Sequence, residues 1–297
     1  MRILIFGKTG QVGRELARAP WPEHWSVELL GRAECDLLNR DSIAGVIHTA
    51  RPHIVINGAA FTAVDRAQAE PETAEKVNCD APAAMAAACR NVGSALIHLS
   101  TDYVFDGSKS GAYLENDPVG PRSVYGRTKA EGERAVAQAL PQHVIIRTSW
   151  VFAAHGTNFV RTILRLSHER PELRIVEDQK GAPTAATDIA TAIATIARRI
   201  TDGEKDAWGT FHFTGAEPTT WLGFAQAILG LSGRHTRLVP IATADYRTAA
   251  QRPLNSVLDC GRIAREYGIL QPSWRLSLED VLTEIDDMAE PAGRRNQ

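Results

Sequence analysis

The sequence predicts an α/β protein: a doubly wound parallel sheet followed by a smaller, mixed α/β region. Three observations carry this. Short apolar runs alternate with longer helical stretches through the first half, the first run ends in a glycine-rich turn, and the alternation loosens after residue 150. The 297 residues, 44% hydrophobic and 23% charged, suffice for one large or two closely joined domains with a full core.

"RILIF" (2–6), "SVELL" (26–30), "HIVIN" (53–57), "SALIHLS" (94–100) and "HVIIRTS" (143–149) read as buried strands, being short and rich in Ile, Val and Leu. Between them, "QVGRELARA", "DSIAGVIHTA", the Ala-rich stretch 72–92 and residues 123–139 carry helical spacing. Alternation of this kind places helices on both faces of a parallel sheet. Pro71 suits the first turn of the helix over 72–92. Beyond 150, "NFVRTILRLSHER" and "TDIATAIATIARRI" read as helices, and "LRIVE" and "TFHFT" as strands. "TTWLGFAQAILGL" is a further helix behind the start signal Pro218-Thr219-Thr220, the stretch 235–276 is mixed, and "SLEDVLTEIDDMA" is an amphipathic helix. We therefore expect a first domain over 1–150, completed by later segments, a second region over 151–290, and a disordered tail over 291–297.

A net charge of −2 and a pI of about 6.5 offer no basic field for nucleic acid or an anionic membrane. The four cysteines form no C-x-x-C pair and the nine histidines no H-E-x-x-H, so the sequence supports neither a disulfide framework nor a metal site. "MRILIFGKTG" is too short and too broken for a signal peptide, and no run reaches the roughly 18 to 20 apolar residues of a membrane span. These features point to a cytoplasmic protein.

The first strand runs into "GKTGQVG", with Gly7, Gly10 and Gly13 spaced G-x-x-G-x-x-G. A side chain there would block the approach of a dinucleotide's pyrophosphate, and the next helix offers free N–H groups to it. Placed between strand one and helix one, the motif indicates a Rossmann-like cofactor site. A P-loop reading of Gly7-Lys8-Thr9 fails, because Arg2 stands where its first glycine belongs. No acidic residue ends strand two, where a ribose-gripping carboxylate would favour NADH. Arg32 is there instead, suited to a 2′-phosphate of NADPH or to solvent. Asp36 and Leu37 either bracket the adenine or, for Asp36, simply hold a turn.

Tyr125 and Lys129 stand four apart in the helix over 123–139, on one face. A nearby ammonium favours a phenolate, so the lysine is expected to lower the tyrosine's pKa and ready it for proton transfer. The pair follows "STD" (100–102) by about one loop, at the ligand-bearing C-terminal edge of the sheet, so Ser100 or Thr101 can share a hydrogen bond with a substrate oxygen.

With these residues the chain resembles the extended short-chain dehydrogenase/reductases, and within them the dTDP-4-dehydrorhamnose reductase family. The likeness is carried by "GKTGQVG", "INGAAFTAVDRAQAEPE", "STDYVFDG" and "VYGRTKAEGE", and continues in "IRTSWVF", "NFV", "DQKGAPT" and "QRPLNSVLD". It implies NAD(P)H-dependent reduction of a 4-keto group on a dTDP-6-deoxyhexose, the last step toward dTDP-L-rhamnose. By the same resemblance Tyr125 is the acid, Lys129 its partner and ribose anchor, and Thr101 the third member of the set. Gln11, Val12 and the glycines hold pyrophosphate, while Ala60, Phe61, Thr62 and Leu99 line the cofactor, Phe61 through its backbone. Asp102 and Trp150 contact the sugar nucleotide or nicotinamide side, unless they serve as a loop cap and core packing, and Arg252 meets the nucleotide diphosphate unless it is merely solvated. The expected partner is a small nucleotide-sugar substrate. The chain is a monomer or homodimer, and no Mg2+ bridge can be aligned. Two alternatives differ at identifiable residues. A dehydratase or epimerase of this superfamily would have a second carboxylate where Tyr103 stands, and a non-catalytic NADP-binding regulatory subunit would have no need of Thr101, Tyr125 and Lys129 together.

Overall fold

The computed structural model describes residues 1–203 and 207–289, so the tail expected over 291–297 lies outside the described residues. In chain order the first half runs β1 (Arg2–Phe6), α1 (Gln11–Arg18), β2 (Ser26–Leu30), α2 (Arg40–Ala50), β3 (Ile54–Asn57), α3 (Val64–Ala69), α4 (Pro71–Glu75), α5 (Ala81–Val92), β4 (Ala95–Thr101), α6 (Val124–Ala139) and β5 (His143–Thr148). The second half runs β6 (Val151–Phe152), α7 (Phe159–Glu169), β7 (Glu172–Val176), β8 (Lys180–Gly181), β9 (Thr184–Ala185), α8 (Ala186–Thr201), β10 (Gly209–His212), β11 (Thr219–Thr220), α9 (Trp221–Leu231), β12 (Arg237–Ile241), α10 (Gly261–Tyr267) and α11 (Trp274–Ala289).

Six strands form one parallel sheet in the order β10-β5-β4-β3-β1-β2. The central β3 and β5 are buried on both faces, which is why their sequences read as unbroken apolar runs. The edge strand β2 instead exposes Ser26 and Glu28 on alternate positions. On one face α1, α8 and α10 cover the sheet through Leu16, Ile189, Ile193 and Ile263; on the other, α2, α5 and α6 do so through Ile47, Met85 and Val136. Strand order reverses between β1 and β3, so the loops leaving their C-terminal ends diverge and open a crevice.

A separate core joins α7, α9 and α11 through Val160, Ile163, Phe224, Ile228 and Trp274. The parallel pair β7–β12 lies beside it, with Glu172 opposite Arg237. Thr220 ends β11 and also caps α9, its hydroxyl accepting from the Gly223 N–H at 3.1 Å. The stretch read as "TTWLGF…" is thus two residues of strand followed by the helix.

The helix expected over 72–92 is interrupted. Pro71 does begin α4, but residues Lys76–Asp80 form a π turn before α5 resumes. A close neighbour sits at this turn: a Cβ on Gly132 of α6 would lie 2.1 Å from the Asn78 carbonyl oxygen, so the two helices meet backbone to backbone there. Gly132→Ala is therefore expected to destabilise the fold by about 1–3 kcal/mol, read as a drop in melting temperature. An unchanged melting temperature would refute this reading of the contact.

Candidate active site

The crevice between β1 and β3 is floored by glycine. Gly7 has φ of +104°, open to glycine at little cost, and a Cβ on it would sit 2.8 Å from the Gly58 carbonyl carbon. A Cβ on Gly13 would lie 2.0 Å from Gly7 O, so α1 begins against the turn itself. The N-terminus of α1 has neither a side-chain cap bond nor an acidic residue in its first turn, leaving its N–H groups and dipole for an anion. These residues fit a dinucleotide pyrophosphate. Gln11 is held by Asn158, whose Nδ2 donates to Gln11 Oε1 at 2.8 Å, and Val12 is buried in the core beneath.

One end of the crevice, about 380 Å³, is lined by Arg32, Asp36, Leu37, Ala60, Phe61 and Thr62 among others. Arg32 is exposed. Asp36 Oδ1 accepts from the Leu38 N–H at 3.2 Å, so this carboxylate holds its turn as well as the pocket wall. An acidic group does reach the end of β2, although not at the position where one was sought. Glu34 folds back to accept from the Gly31 N–H at 2.8 Å and lies 3.3 Å from Lys8 Nζ. Phe61 contributes its backbone: its N–H donates to Asn78 Oδ1 at 2.8 Å, and its carbonyl accepts from Asn78 Nδ2 at 3.2 Å.

The other end, about 500 Å³, brings together Gly10, Gln11, Leu99, Thr101, Asp102, Tyr125, Lys129 and Trp150, residues spread over 140 positions of sequence. Tyr125 arrives there because α6 starts unusually close to the turn after β4. The Ser123 hydroxyl accepts from the Gly126 N–H at 3.1 Å, and a Cβ on Gly126 would be 2.1 Å from the Tyr103 carbonyl oxygen. Thr101 Oγ1 donates to Asp102 Oδ1 at 2.9 Å, while Asp102 Oδ2 is buried without a partner. Burial pushes the Asp102 carboxyl up to about 6.

The expected fall in the Tyr125 pKa does not occur. Burial pushes the phenol up to about 12; hydrogen bonding with Thr101 opposes the rise and the Asp102 carboxyl adds to it. The cost of burying a phenolate decides the direction. Tyr125 is therefore held as a phenol at neutral pH. Lys129, 1% exposed, donates to the Leu99 carbonyl at 2.6 Å, and burial lowers it to about 8 against the opposing pull of Glu133.

Trp150 lines the cleft with φ of +47°, a strained backbone for a tryptophan, and its ring stacks on Trp221 at 3.6 Å and 9°. It is both a cleft wall and a packed residue. Arg252 is turned toward Asp65 of α3, with Nη2 2.7 Å from Oδ2, beside the cleft instead of lining it. The sequence alone did not single out Trp221, Asn78 or His98, and it marked Tyr103 only as the position where a second carboxylate is absent. Only His98 carried a signal, a polar residue within an apolar strand.

A glycine-floored helix N-terminus beside converging Thr, Tyr and Lys side chains defines a dinucleotide-dependent oxidoreductase of the short-chain dehydrogenase/reductase class. The family model described as "RmlD substrate binding domain" matches residues 1–287, and the chain belongs to that family. A protein of Sinorhizobium fredii named dTDP-4-dehydrorhamnose reductase is 45% identical over 284 residues, covering 93% of this chain and 95% of its own. One of the same name from Escherichia coli K12 is 39% identical, covering 96% and 98%. Among solved structures, the dTDP-4-dehydrorhamnose reductase of Clostridium acetobutylicum is similar at a TM-score of 0.91 and 34% identity, covering 96% of this chain and all of its own. That of Bacillus anthracis, in complex with NADP, is similar at 0.89 and 33%, covering 95% and 99%.

Because the Asp102 pKa is raised on folding, its charged form costs stability. That cost is absent below about pH 4 and grows as pH rises through about 6. Asp102→Asn is expected to gain about 2–3 kcal/mol over wild type at pH 8, with the gap closing by pH 4 in thermal unfolding. A gap independent of pH would refute the assignment.

Proposed function

We propose that the protein reduces the C4 keto group of dTDP-4-dehydro-L-rhamnose to dTDP-L-rhamnose with NAD(P)H. The observation that carries this is the convergence of Thr101, Tyr125 and Lys129 on a cleft continuous with the glycine turn, in a chain whose relatives bear that enzyme's name. A reduced nicotinamide bound there supplies the hydride. Gly7, Gly10, Gly13 and the N-terminus of α1 hold its pyrophosphate, and Leu99, Ala60 and Thr62 form walls along it. Tyr125, protonated at neutral pH, gives its proton to the carbonyl oxygen as the alcohol forms. Thr101 positions that oxygen, and the Lys129 ammonium stabilises the phenolate left behind.

The substrate enters over Asp102, Trp150 and Trp221, and the second core around α7 and α9 serves as the substrate-binding region. Arg252 and the neighbouring Arg122 and Arg247 border a further opening of about 500 Å³, suited to the nucleotide's diphosphate. Tyr103 supports reduction over dehydration. Its ring meets Tyr125 edge-on at 5.7 Å, and burial raises its pKa, so it cannot replace a carboxylate base. The cytoplasm is the proposed location, in keeping with free thiols at Cys35, Cys79, Cys89 and Cys260. Among the described residues no helix is long and apolar enough to cross a membrane.

Wild-type protein should oxidise NADPH or NADH when given dTDP-4-dehydro-L-rhamnose, and Tyr125→Phe should lose about 10²-fold or more in kcat. No turnover, with tight NADP binding, would overturn the reductase reading in favour of a binding-only role. Arg32 leads us to favour NADPH. Arg32→Ala should raise the KM for NADPH about tenfold while leaving that for NADH nearly unchanged, and equal effects on both would assign Arg32 to solvent.

A further inference from the structure

Beneath the reacting face, a chain of buried polar groups runs from the cofactor loop to Lys129. The Ala59 N–H donates to Asn57 Oδ1 at 3.1 Å, and Asn57 Nδ2 lies 3.0 Å from His98 Nδ1. His98 Nε2 lies 3.3 Å from Lys129 Nζ, which lies 2.6 Å from the Leu99 carbonyl. Asn57 and His98 are fully buried.

Donors and acceptors along this chain fit in one direction only. A backbone N–H can only donate, so the atom of Asn57 facing Ala59 must be its oxygen, and the amide NH2 faces His98. His98 Nδ1 must then accept. A neutral imidazole accepting at Nδ1 carries its proton on Nε2, and an imidazolium would set a second N–H against the amide. That Nε2–H points at Lys129. An ammonium has no lone pair to receive it, whereas an amine has.

We propose that Asn57 and His98 are positioning residues that aim an imidazole N–H at Lys129 and so favour its amine form, making the lysine a ready proton donor to the active site. This rests on the reductase reading for its use but not for its geometry. When Tyr125 protonates the substrate oxygen, a phenolate remains. The Lys129 ammonium, lining the same cleft, returns a proton to it through cleft water, restoring the phenol and leaving the amine, which His98 stabilises; solvent then returns a proton to the amine. The facing groups set the balance. Glu133, one turn along α6 and paired with Arg147 of β5 at 2.7 Å, favours the ammonium. Burial, then Lys129 and then His143 of β5, keep His98 neutral, and Tyr125 and Asp102 lie on the cleft side.

Histidine-labelled full-length protein, without substrate, tests the geometry through two-bond 15N–1H correlations, with His98 assigned against His98→Gln. The Nε2–H tautomer is expected; an Nδ1–H tautomer or an imidazolium at pH 7 would overturn the proposal without variants or turnover. A 15Nζ titration of Lys129 should show a midpoint of about 8, and an ordinary lysine value near 10.4 would also overturn it. In Asn57→Asp the carboxylate accepts from both Ala59 and His98, so His98 should switch to Nδ1–H. The Lys129 midpoint and the basic limb of the kcat profile should then move up together by about one pH unit or more. An upward move with the tautomer unchanged would show charge alone at work and sink the relay. A protein that turns over no substrate yet gives the expected spectra would count against the reductase reading only.

Discussion

The close seating of α6 is the constraint on which the rest of this structure depends. At Gly126 the helix lies against the backbone of the turn after β4, and at Gly132 against the π turn before α5. Side chains at either point would lift the helix away by a bond length or more, and packed interiors do not absorb such a shift. Tyr125 and Lys129 are placed by these contacts, since the first glycine follows the tyrosine directly and the second lies one turn beyond the lysine. Asn78 extends the constraint to the cofactor loop. Its side chain bonds both backbone groups of Phe61 and the Thr128 hydroxyl, so the loop after β3 and α6 are held as one piece.

The site so assembled is electrostatically costly. Asp102, Tyr125 and Lys129 are all buried, and in each the charged form is disfavoured first of all by the loss of water. Below them, Glu133 accepts from the Ser100 hydroxyl and from Arg147, whose guanidinium also covers the Phe105 ring at 5.0 Å. That buried pair is satisfied at both ends and ties α6 to β4 and β5. The unpartnered Asp102 oxygen is left in the cleft wall itself, where a ligand hydroxyl can complete it.

The second half of the chain contributes rigidity from another direction. Trp150 is held in the left-handed region between Trp221 and Gly181, where a Cβ would lie 2.5 Å from the indole. The strain persists because β9, β8 and the start of α9 pack around it, and Trp221 is itself fixed by Gln179 at 3.1 Å. Strain of this kind at a cleft wall preorganises a flat surface for a ligand ring.

How much of this was legible in the linear chain depended on the range of the physics involved. Each strand of the first half, the helices α1, α2 and α6 and the glycine turn follow from local patterning, because apolar periodicity and the absence of Cβ atoms act within a few residues. The i, i+4 spacing likewise determined that Tyr125 and Lys129 share a face. The interruption at Lys76–Asp80 was invisible, and the turn packs against a glycine more than fifty residues away. So was the return of Glu34 to the end of β2, which depends on how a turn folds back in space. The direction of the Tyr125 shift was hidden for the same reason: sequence shows a lysine four positions on but not the burial that raises the phenol. The pairing of Arg252 with Asp65 and the chain from Ala59 to Lys129 belong to this second kind. The sequence by itself determined the kind of sheet, the glycine turn and the shared face of Tyr125 and Lys129. Only the tertiary structure decided which groups lose water and which donors face which acceptors, because desolvation and hydrogen-bond direction are properties of neighbours distant in the chain.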